Sequence, residues 1–250
     1  MFLNEDGLRL HIELELPDNG EKRHPLLILL HGFTGHMEEP HILGVGRAAR
    51  EAGFAVLRAE LYGHGQSGGA FRDHTLYKWL TNTLSVIDYA RSLDFVTDVY
   101  LCGHSQGGLT VMLAGAMKRG QVKGIIPLSP AWTIPEGARQ GLLLGNPFDP
   151  DRIPDSIPLG PGADLDGNYI RVAQSIFVEP AIDRFDGPVL LIHGTGDETV
   201  PCEGSRLAAQ RYKNCSLVLI EGDTHCYDRH LGQVTEAVKR WLSEQRRKEQ

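Results

Sequence analysis

The chain of 250 residues carries a formal net charge of −7 and four cysteines, and these values exclude several classes of protein. Acidic and basic residues are mixed along the whole chain, without the basic stripe that holds phosphate backbones, so nucleic acid is excluded as a partner. No apolar run reaches the roughly 18 residues that span a bilayer, and the cysteine spacing fits neither a disulfide framework nor a zinc knuckle.

Residues 1–16 alternate charged and apolar side chains, and they lack both the basic and the apolar region of a signal peptide. We therefore expect a cytoplasmic protein with reduced thiols and no attachment to a membrane. Because the composition does not change along the chain, residues 1–250 are expected to form one domain. The eleven histidines form no HExxH motif, so we expect neither a metal nor another cofactor.

Short apolar runs alternate with longer stretches of helical period, a pattern that predicts an α/β fold with a mostly parallel central sheet flanked by helices. The predicted strands, in chain order, are residues 8–16, 26–30, 55–59, 99–102, 124–127, 189–193 and 217–220. One predicted helix follows Asp73 and another ends the chain, and each has a single apolar face. Residues 244–250 are almost all charged or amide-bearing, and they are expected to form a solvated helix end.

Residues 131–175 interrupt this alternation. The segment has only short apolar runs and is dense in glycine and in proline, namely Pro135, Pro147, Pro150, Pro154, Pro158 and Pro161. A crossover does not need so long and irregular a connection, and long insertions are commonly lids or binding loops. We interpret the segment as a small inserted cap over the active site; the alternative is a surface excursion without a role in binding.

Residues 103–107 (GHSQG) have the form GxSxG, and they stand between a predicted strand and a helical run. This setting is typical of the nucleophile elbow of α/β-hydrolases, in which small residues flank the serine because the turn is tight. Ser105 is therefore the predicted nucleophile, and its position at a helix N-terminus favours a developing negative charge. The pattern also occurs by chance at glycine-rich turns, but the strand before it and the helix after it argue against that interpretation.

A serine hydroxyl needs a base that is itself oriented by a third group. In α/β-hydrolases the three residues follow the chain order Ser, Asp, His. Asp197, in the loop after the sixth predicted strand, is the predicted acid, and His225, after the seventh, is the predicted base. Asp223 and Asp228 compete for the acid's role, but both are so close in sequence to His225 that reaching its ring from the required side is unfavourable.

Acyl transfer also needs two backbone donors for the oxyanion of the tetrahedral intermediate. One is expected to be the N–H of Gln106, the residue after the nucleophile. The other is expected to be the N–H of Phe33, in residues 31–35 (HGFTG), which follow the second predicted strand. The alternative for these residues is a plain turn at the end of a strand.

Several sequence strings together resemble the bacterial cinnamoyl, or feruloyl, esterases. They are residues 31–36 (HGFTGH), 62–65 (YGHG), 73–75 (DHT), 103–108 (GHSQGG) and 222–227 (GDTHCY). The resemblance spans nearly the whole chain and implies hydrolysis of esters that join ferulic, p-coumaric or caffeic acid to a sugar or small alcohol. It implies that Ser105, Asp197 and His225 form a catalytic triad, that Phe33 and Gln106 are the oxyanion donors, and that the cap covers the aromatic acyl group.

Tyr169 lies in residues 167–174 (GNYIRVAQ), which match a string of the same family at the end of the insertion. The resemblance implies that Tyr169 hydrogen-bonds the ring hydroxyl of the substrate. The alternative is an aromatic side chain that packs at the hinge of the insertion. Residues 159–167 depart from the family because they are rich in Gly and Pro and contain no aromatic residue, which leaves open which side chain closes the pocket.

Two other functions remain open from the sequence. A related serine hydrolase, such as a monoacylglycerol lipase or a peptidase, would share the triad and differ in the cap, whose short apolar runs argue against long acyl chains. A catalytically silent binding protein could keep the fold, but the intact Ser, Asp and His argue against it. The resemblance implies a small aromatic ester as the partner, and the sequence leaves a homodimer open.

Overall fold

The computed structural model describes residues 1–159 and 163–249, so Pro161 lies outside the described residues. The strands of its main sheet are β1 Phe2–Glu5, β2 Leu8–Glu15, β3 His24–Leu30, β4 Ala55–Ala59, β5 Val96–His104, β6 Val122–Leu128, β11 Val189–Gly194 and β12 Cys215–Ile220. Their spatial order is β1-β2-β4-β3-β5-β6-β11-β12. β2 is antiparallel to β1 and to β4, and the remaining pairs are parallel.

Helices lie on both faces of this sheet and in the segment that follows β6. They are α1 Pro40–Glu51, α2 Leu76–Arg91, α3 Gln106–Met117, α4 Ile134–Arg139, α5 Asn168–Gln174, α6 Glu179–Arg184, α7 Glu203–Arg211 and α8 Leu231–Glu249. Successive side chains of a strand point to opposite faces of the sheet, so the leucine-rich β3 contributes side chains to two separate cores. Leu26, Ile28 and Leu30 pack in the core that includes α2 and α3, whereas Leu27 and Leu29 pack in the core that includes α1 and α8.

The predicted α/β fold is confirmed, and all seven predicted strands lie in the main sheet. Their bounds differ by up to three residues; the strand predicted at 99–102, for example, is Val96–His104. The helix predicted after Asp73 is α2, and its N-cap Thr75 accepts a hydrogen bond from the Lys78 amide at 3.2 Å. β1 and α1 were not predicted from the sequence.

The inserted segment, residues 131–175, connects β6 to α6 and is built from short elements. Besides α4 and α5 it contains β7 Leu142–Leu143, β8 Asn146–Pro147, β9 Ser156–Pro158 and β10 Asp164–Asp166, which form two separate hairpin sheets. Side chains connect its two ends: Arg139 donates to the Ile176 carbonyl at 2.7 Å, and Gln174 donates to the Ala138 carbonyl at 3.2 Å. Within the described residues, no helix is both long enough and apolar enough to span a membrane.

Candidate active site

Ser105 lies at the tight turn between β5 and α3, with φ of 54° and ψ of −116°. A non-glycine residue with positive φ is strained by about 1–3 kcal/mol, and such strain persists only where the surroundings fix it. Here the Ser105 amide donates to the Leu128 carbonyl at 2.9 Å. A Cβ atom at Gly103 would overlap the Gly107 carbonyl, and one at Gly107 would overlap the His31 carbonyl, so the turn requires both glycines.

Asp197 and His225 meet at the carboxyl edge of the sheet, because parallel strands β11 and β12 end side by side there. The His225 Nδ1 atom donates to Asp197 Oδ2 at 2.6 Å. The other oxygen, Oδ1, accepts from the amides of Thr199 at 2.9 Å and Val200 at 2.8 Å, and the Asp197 side chain is fully buried. The carboxylate is therefore held in one orientation beneath the imidazole.

The pKa of Asp197 is lower than that of an ordinary aspartate. Burial alone would raise this pKa, but the hydrogen bonds from His193 and His225 and from the Val200 amide more than reverse the effect. Hydrogen bonds to the ionised form favour it, so Asp197 is a carboxylate across the neutral pH range. A carboxylate at this position fixes the Nδ1–H tautomer of His225 and leaves Nε2 as the basic nitrogen.

The structure places the two competing aspartates away from the His225 ring. Asp223 is buried and accepts hydrogen bonds from the backbone amides of Thr224 and Arg229, at 2.9 and 3.0 Å, so it organises the loop. Asp228 is exposed and accepts from the Thr224 hydroxyl at 2.6 Å. Of the three candidates for the acid, Asp197 is the one that contacts the imidazole.

His193 is a second histidine on the same carboxylate, and the sequence analysis did not identify it. Its Nε2 atom lies 3.0 Å from Asp197 Oδ2 and 2.8 Å from the Val200 carbonyl, and its Nδ1 atom lies 2.7 Å from the Ser205 hydroxyl. If Ser205 donates to Nδ1, the proton of His193 is on Nε2 and is shared between Asp197 and Val200. His193 is the next-to-last residue of the buried strand β11, and a polar side chain at such a position was the signal in the sequence that could have identified it.

His104, next to Ser105, contacts the backbone of His225. Its Nε2 atom donates to the His225 carbonyl at 2.9 Å, and the two rings lie 4.6 Å apart. Burial and the neighbouring imidazoles of His41 and His225 hold the pKa of His104 well below its ordinary value. His104 is therefore neutral, and its hydrogen bond connects the loop after β12 to the turn at Ser105.

The loop after β3 approaches Ser105 closely. A Cβ atom at Gly32 would lie 2.9 Å from His104 Nδ1 and 3.2 Å from Ser105 Cβ, so glycine permits this approach. Phe33 follows it, and Gln106 is the first residue of α3. Phe33 and Ser105 line the same cavity. An oxyanion site formed by the backbone amides of Phe33 and Gln106 needs this arrangement.

Tyr169 lies in α5 and is fully buried. Its hydroxyl donates to Gln106 Oε1 at 2.6 Å, and its ring packs against Phe33 and His74, with ring centroids 6.0 and 5.3 Å away. Burial raises the pKa of Tyr169, so the phenol remains a donor. In this geometry the Tyr169 hydroxyl holds the side chain of Gln106, the residue after Ser105.

A cavity of about 290 Å³ opens above Ser105. Its lining comes from the loop after β3, the elbow, the inserted segment and the loops after β11 and β12, namely Gly32, Phe33, Thr34, Gly35, Glu39, His104, Ser105, Leu144, Asn146, Leu159, Thr199, Val200, His225 and Cys226. Tyr169 is not part of this lining. Within the part of the chain that the structure describes, no three His, Cys, Asp or Glu side chains are grouped so that they could hold a metal ion.

Comparison with known proteins places this site in a family. A family model described as serine aminopeptidase, S33, matches residues 21–156, and one described as TAP-like protein matches residues 171–250. The structure of Est1E from Butyrivibrio proteoclasticus with ferulic acid bound is 57% identical to this chain, with 98% of both chains covered and a TM-score of 0.97.

Two human proteins are more distant relatives. Monoglyceride lipase is 26% identical, over 97% of this chain and 89% of its own length. Protein ABHD12B is 28% identical over 76% of this chain, and the match spans 51% of that protein. With the first family model matching more than half of its residues, the chain belongs to the serine aminopeptidase S33 family of α/β-hydrolases, and it is a carboxylic ester hydrolase.

Proposed function

We propose that this enzyme hydrolyses esters of hydroxycinnamic acids, with Ser105 as the nucleophile, His225 as the base and Asp197 as the orienting acid. The observation that carries the catalytic assignment is the 2.6 Å contact between His225 Nδ1 and Asp197 Oδ2, beside the cavity that both Ser105 and His225 line. A nucleophile, a base and an orienting group around one cavity are the arrangement that acyl transfer requires.

The reaction proceeds in two halves. His225 takes the Ser105 proton as the hydroxyl attacks the ester carbonyl, and the amides of Phe33 and Gln106 stabilise the oxyanion. His225 then gives the proton to the departing alcohol, which leaves an acyl-enzyme. Water then enters and loses a proton to the same imidazole as it attacks the acyl carbonyl. The bond to Ser105 breaks, the acid leaves, and Ser105 takes the proton back from His225, while Asp197 stabilises the imidazolium at each step.

The proposed acyl group rests on likeness and on the shape of the cavity. Est1E, 57% identical over 98% of this chain, has been solved with ferulic acid bound. Leu144 and Leu159 of the inserted segment and Val200 of the acid loop give the cavity apolar walls, and Phe33 adds an aromatic ring. A volume of about 290 Å³ with such walls suits one aromatic acyl group better than a long alkyl chain.

A comparison of initial rates tests this proposal. Methyl ferulate, methyl p-coumarate and p-nitrophenyl esters of increasing acyl length are assayed with the wild type and with Ser105→Ala. We expect the hydroxycinnamates to have the higher kcat/KM, and the substitution to lower turnover by about 10⁴- to 10⁶-fold. Retained activity in Ser105→Ala would overturn the nucleophile assignment.

A lipase of monoacylglycerols is the second candidate, because two curated relatives carry the names monoacylglycerol lipase and monoglyceride lipase. The same assay separates the two functions. A kcat/KM that rises steadily with the length of the aliphatic acyl group would support the lipase and would overturn the aromatic acyl pocket, while leaving the triad in place.

A further inference from the structure

The alcohol of the ester must also be accommodated in the cavity beside Ser105. Because His225 gives its proton to the departing alcohol, the alcohol must lie on the His225 side of Ser105. The lining residues divide by origin: Leu144, Asn146 and Leu159 come from the inserted segment, whereas Thr34, Gly35 and Glu39 come from the loop after β3, and Cys226 directly follows the base.

Glu39 is the acidic side chain of this lining. Between Glu39 and His225 lie the imidazole rings of His41 and His104, each in contact with the next. Its Oε2 atom lies 3.8 Å from His41 Nε2, the His41 ring lies 4.3 Å from that of His104, and the His104 ring lies 4.6 Å from that of His225. Burial raises the pKa of the Cys226 thiol to about 11, and the negative charge of Glu39 adds to the effect. The carboxylate of Glu39 therefore acts at the same end of the cavity as His225 and Cys226.

Only one oxygen of the Glu39 carboxylate accepts a hydrogen bond within the described residues. Glu39 is the N-cap residue of α1, yet its side chain makes no capping hydrogen bond. Instead Oε2 accepts from the His36 amide at 3.3 Å, and no hydrogen bond to Oε1 is present within the described residues. Burial raises the pKa of Glu39, and the His36 amide and the imidazoles of His36 and His225 oppose that rise. An acceptor is thus available to a molecule in the cavity.

We propose that Glu39 forms a leaving-group subsite that selects the alcohol of the ester by its charge. Its carboxylate accepts hydrogen bonds from the hydroxyl groups of a neutral, polyhydroxylated alcohol and disfavours an alcohol that itself carries a carboxylate. A carboxylate is an acceptor only, so hydroxyl groups complement it. A second negative charge in a partly desolvated cavity is repelled more strongly than in water. This inference rests on the proposed direction of the acyl transfer.

The test uses one acyl group on three alcohols: the methyl ester, the ester of a neutral pentose and the ester of a hydroxy acid such as quinic acid. The readout is the ratio of kcat/KM for each larger ester to that for the methyl ester. Glu39→Gln is expected to raise the hydroxy-acid ratio about tenfold, because it removes one like charge. Glu39→Ala is expected to lower the pentose ratio about tenfold, because a hydrogen bond to a charged acceptor is lost.

Glu38→Gln is the matched control, because Glu38 carries the same charge one residue earlier, is exposed and is not part of the cavity lining. It is expected to leave both ratios unchanged. A loss of folded enzyme lowers all three rates together and cancels in the ratio. If the ratios of Glu39→Gln and Glu39→Ala equal those of Glu38→Gln, the subsite is wrong.

The alcohol series repeated on an acetyl group separates this inference from the proposed acyl specificity. If the feruloyl esters are poor substrates and the acetyl esters are good ones, the proposed acyl specificity is wrong. The kcat/KM ratios between the acetyl esters then still test the subsite at Glu39. If neither series is hydrolysed, the direction of acyl transfer has no support, and the subsite falls with it.

Discussion

The carboxyl edge of the main sheet and the inserted segment contribute to the same cavity, but they are built differently. At the sheet edge, Asp197 is held by two histidine rings and two backbone amides, directly after a buried parallel strand. In the inserted segment, the strands have two or three residues, and the packing depends on contacts with distant parts of the chain, such as that between Tyr169 and Gln106. On the proposed function, regular structure positions the reacting groups, whereas irregular structure forms part of the wall that selects the acyl group.

The largest expected effect tests the rigid edge. Asp197→Asn should lower kcat by about 10⁴-fold, because the amide no longer stabilises the imidazolium and favours the wrong tautomer of His225. Asp228→Asn is the matched control, since this exposed side chain contacts Thr224 rather than the ring. Steady-state rates with an ester substrate measure both. Equal losses in the two variants would contradict the assignment of Asp197.

A second substitution tests how far the elbow tolerates change. In Gly107→Ala the added methyl group would overlap the His31 carbonyl and approach that of Leu30 to 2.9 Å, so we expect the free energy of unfolding to fall by about 2–3 kcal/mol. Gly232→Ala in α8 is the control, because no atom lies within 4 Å of the added Cβ, and it should raise helix stability slightly. Urea unfolding followed by circular dichroism compares them. A Gly107→Ala protein as stable as wild type would show that the elbow is not tightly packed.

His193 tests whether the acid needs its second partner. His193→Ala should lower kcat about tenfold with little change in KM, because Asp197 loses one of the groups that fix its orientation. His193→Gln, which can return an N–H donor near the former Nε2, should recover part of the loss. A change confined to thermal stability, with kcat intact, would make His193 a packing residue only.

The smallest expected effect lies in the inserted segment. Tyr169→Phe removes the hydroxyl that donates to Gln106, and we expect the free energy of unfolding to fall by about 1 kcal/mol. Because the hydroxyl is buried against Gln106, kcat/KM for methyl ferulate and methyl cinnamate should fall by the same factor. A loss confined to methyl ferulate, which alone carries the ring hydroxyl, would instead support direct recognition of the substrate by Tyr169.

The sequence predicted the parts of the fold that local patterns determine. Apolar strands such as β3 are buried on both faces, and their composition shows this directly. The hairpin of β1 and β2 was missed although Asp6 and Gly7, both with positive φ, form the Asp-Gly turn that is a strong hairpin signal. α1 was missed because Gly44 and Gly46 lower its helix propensity, while its stability comes from packing against the sheet and α8.

The site shows the same division. Ser105, Asp197 and His225 follow strands in a fixed order, so their meeting at one edge could be anticipated. The positions of His193 and Glu39 beside these residues could not, because each depends on where a loop returns in space. His193 contacts Asp197 because the chain turns back within four residues, and Glu39 shares the cavity with His225 and Cys226 because the start of α1 faces the loop after β12.

Covalent labelling by a fluorophosphonate, mapped by mass spectrometry in the presence and absence of methyl ferulate, tests directly whether Ser105 is the nucleophile. We expect one label on the peptide that contains Ser105, slower labelling when methyl ferulate is present, and almost no labelling in His225→Ala. A label on another residue, or labelling that does not require His225, would contradict the account of Ser105 as the nucleophile activated at this edge of the sheet.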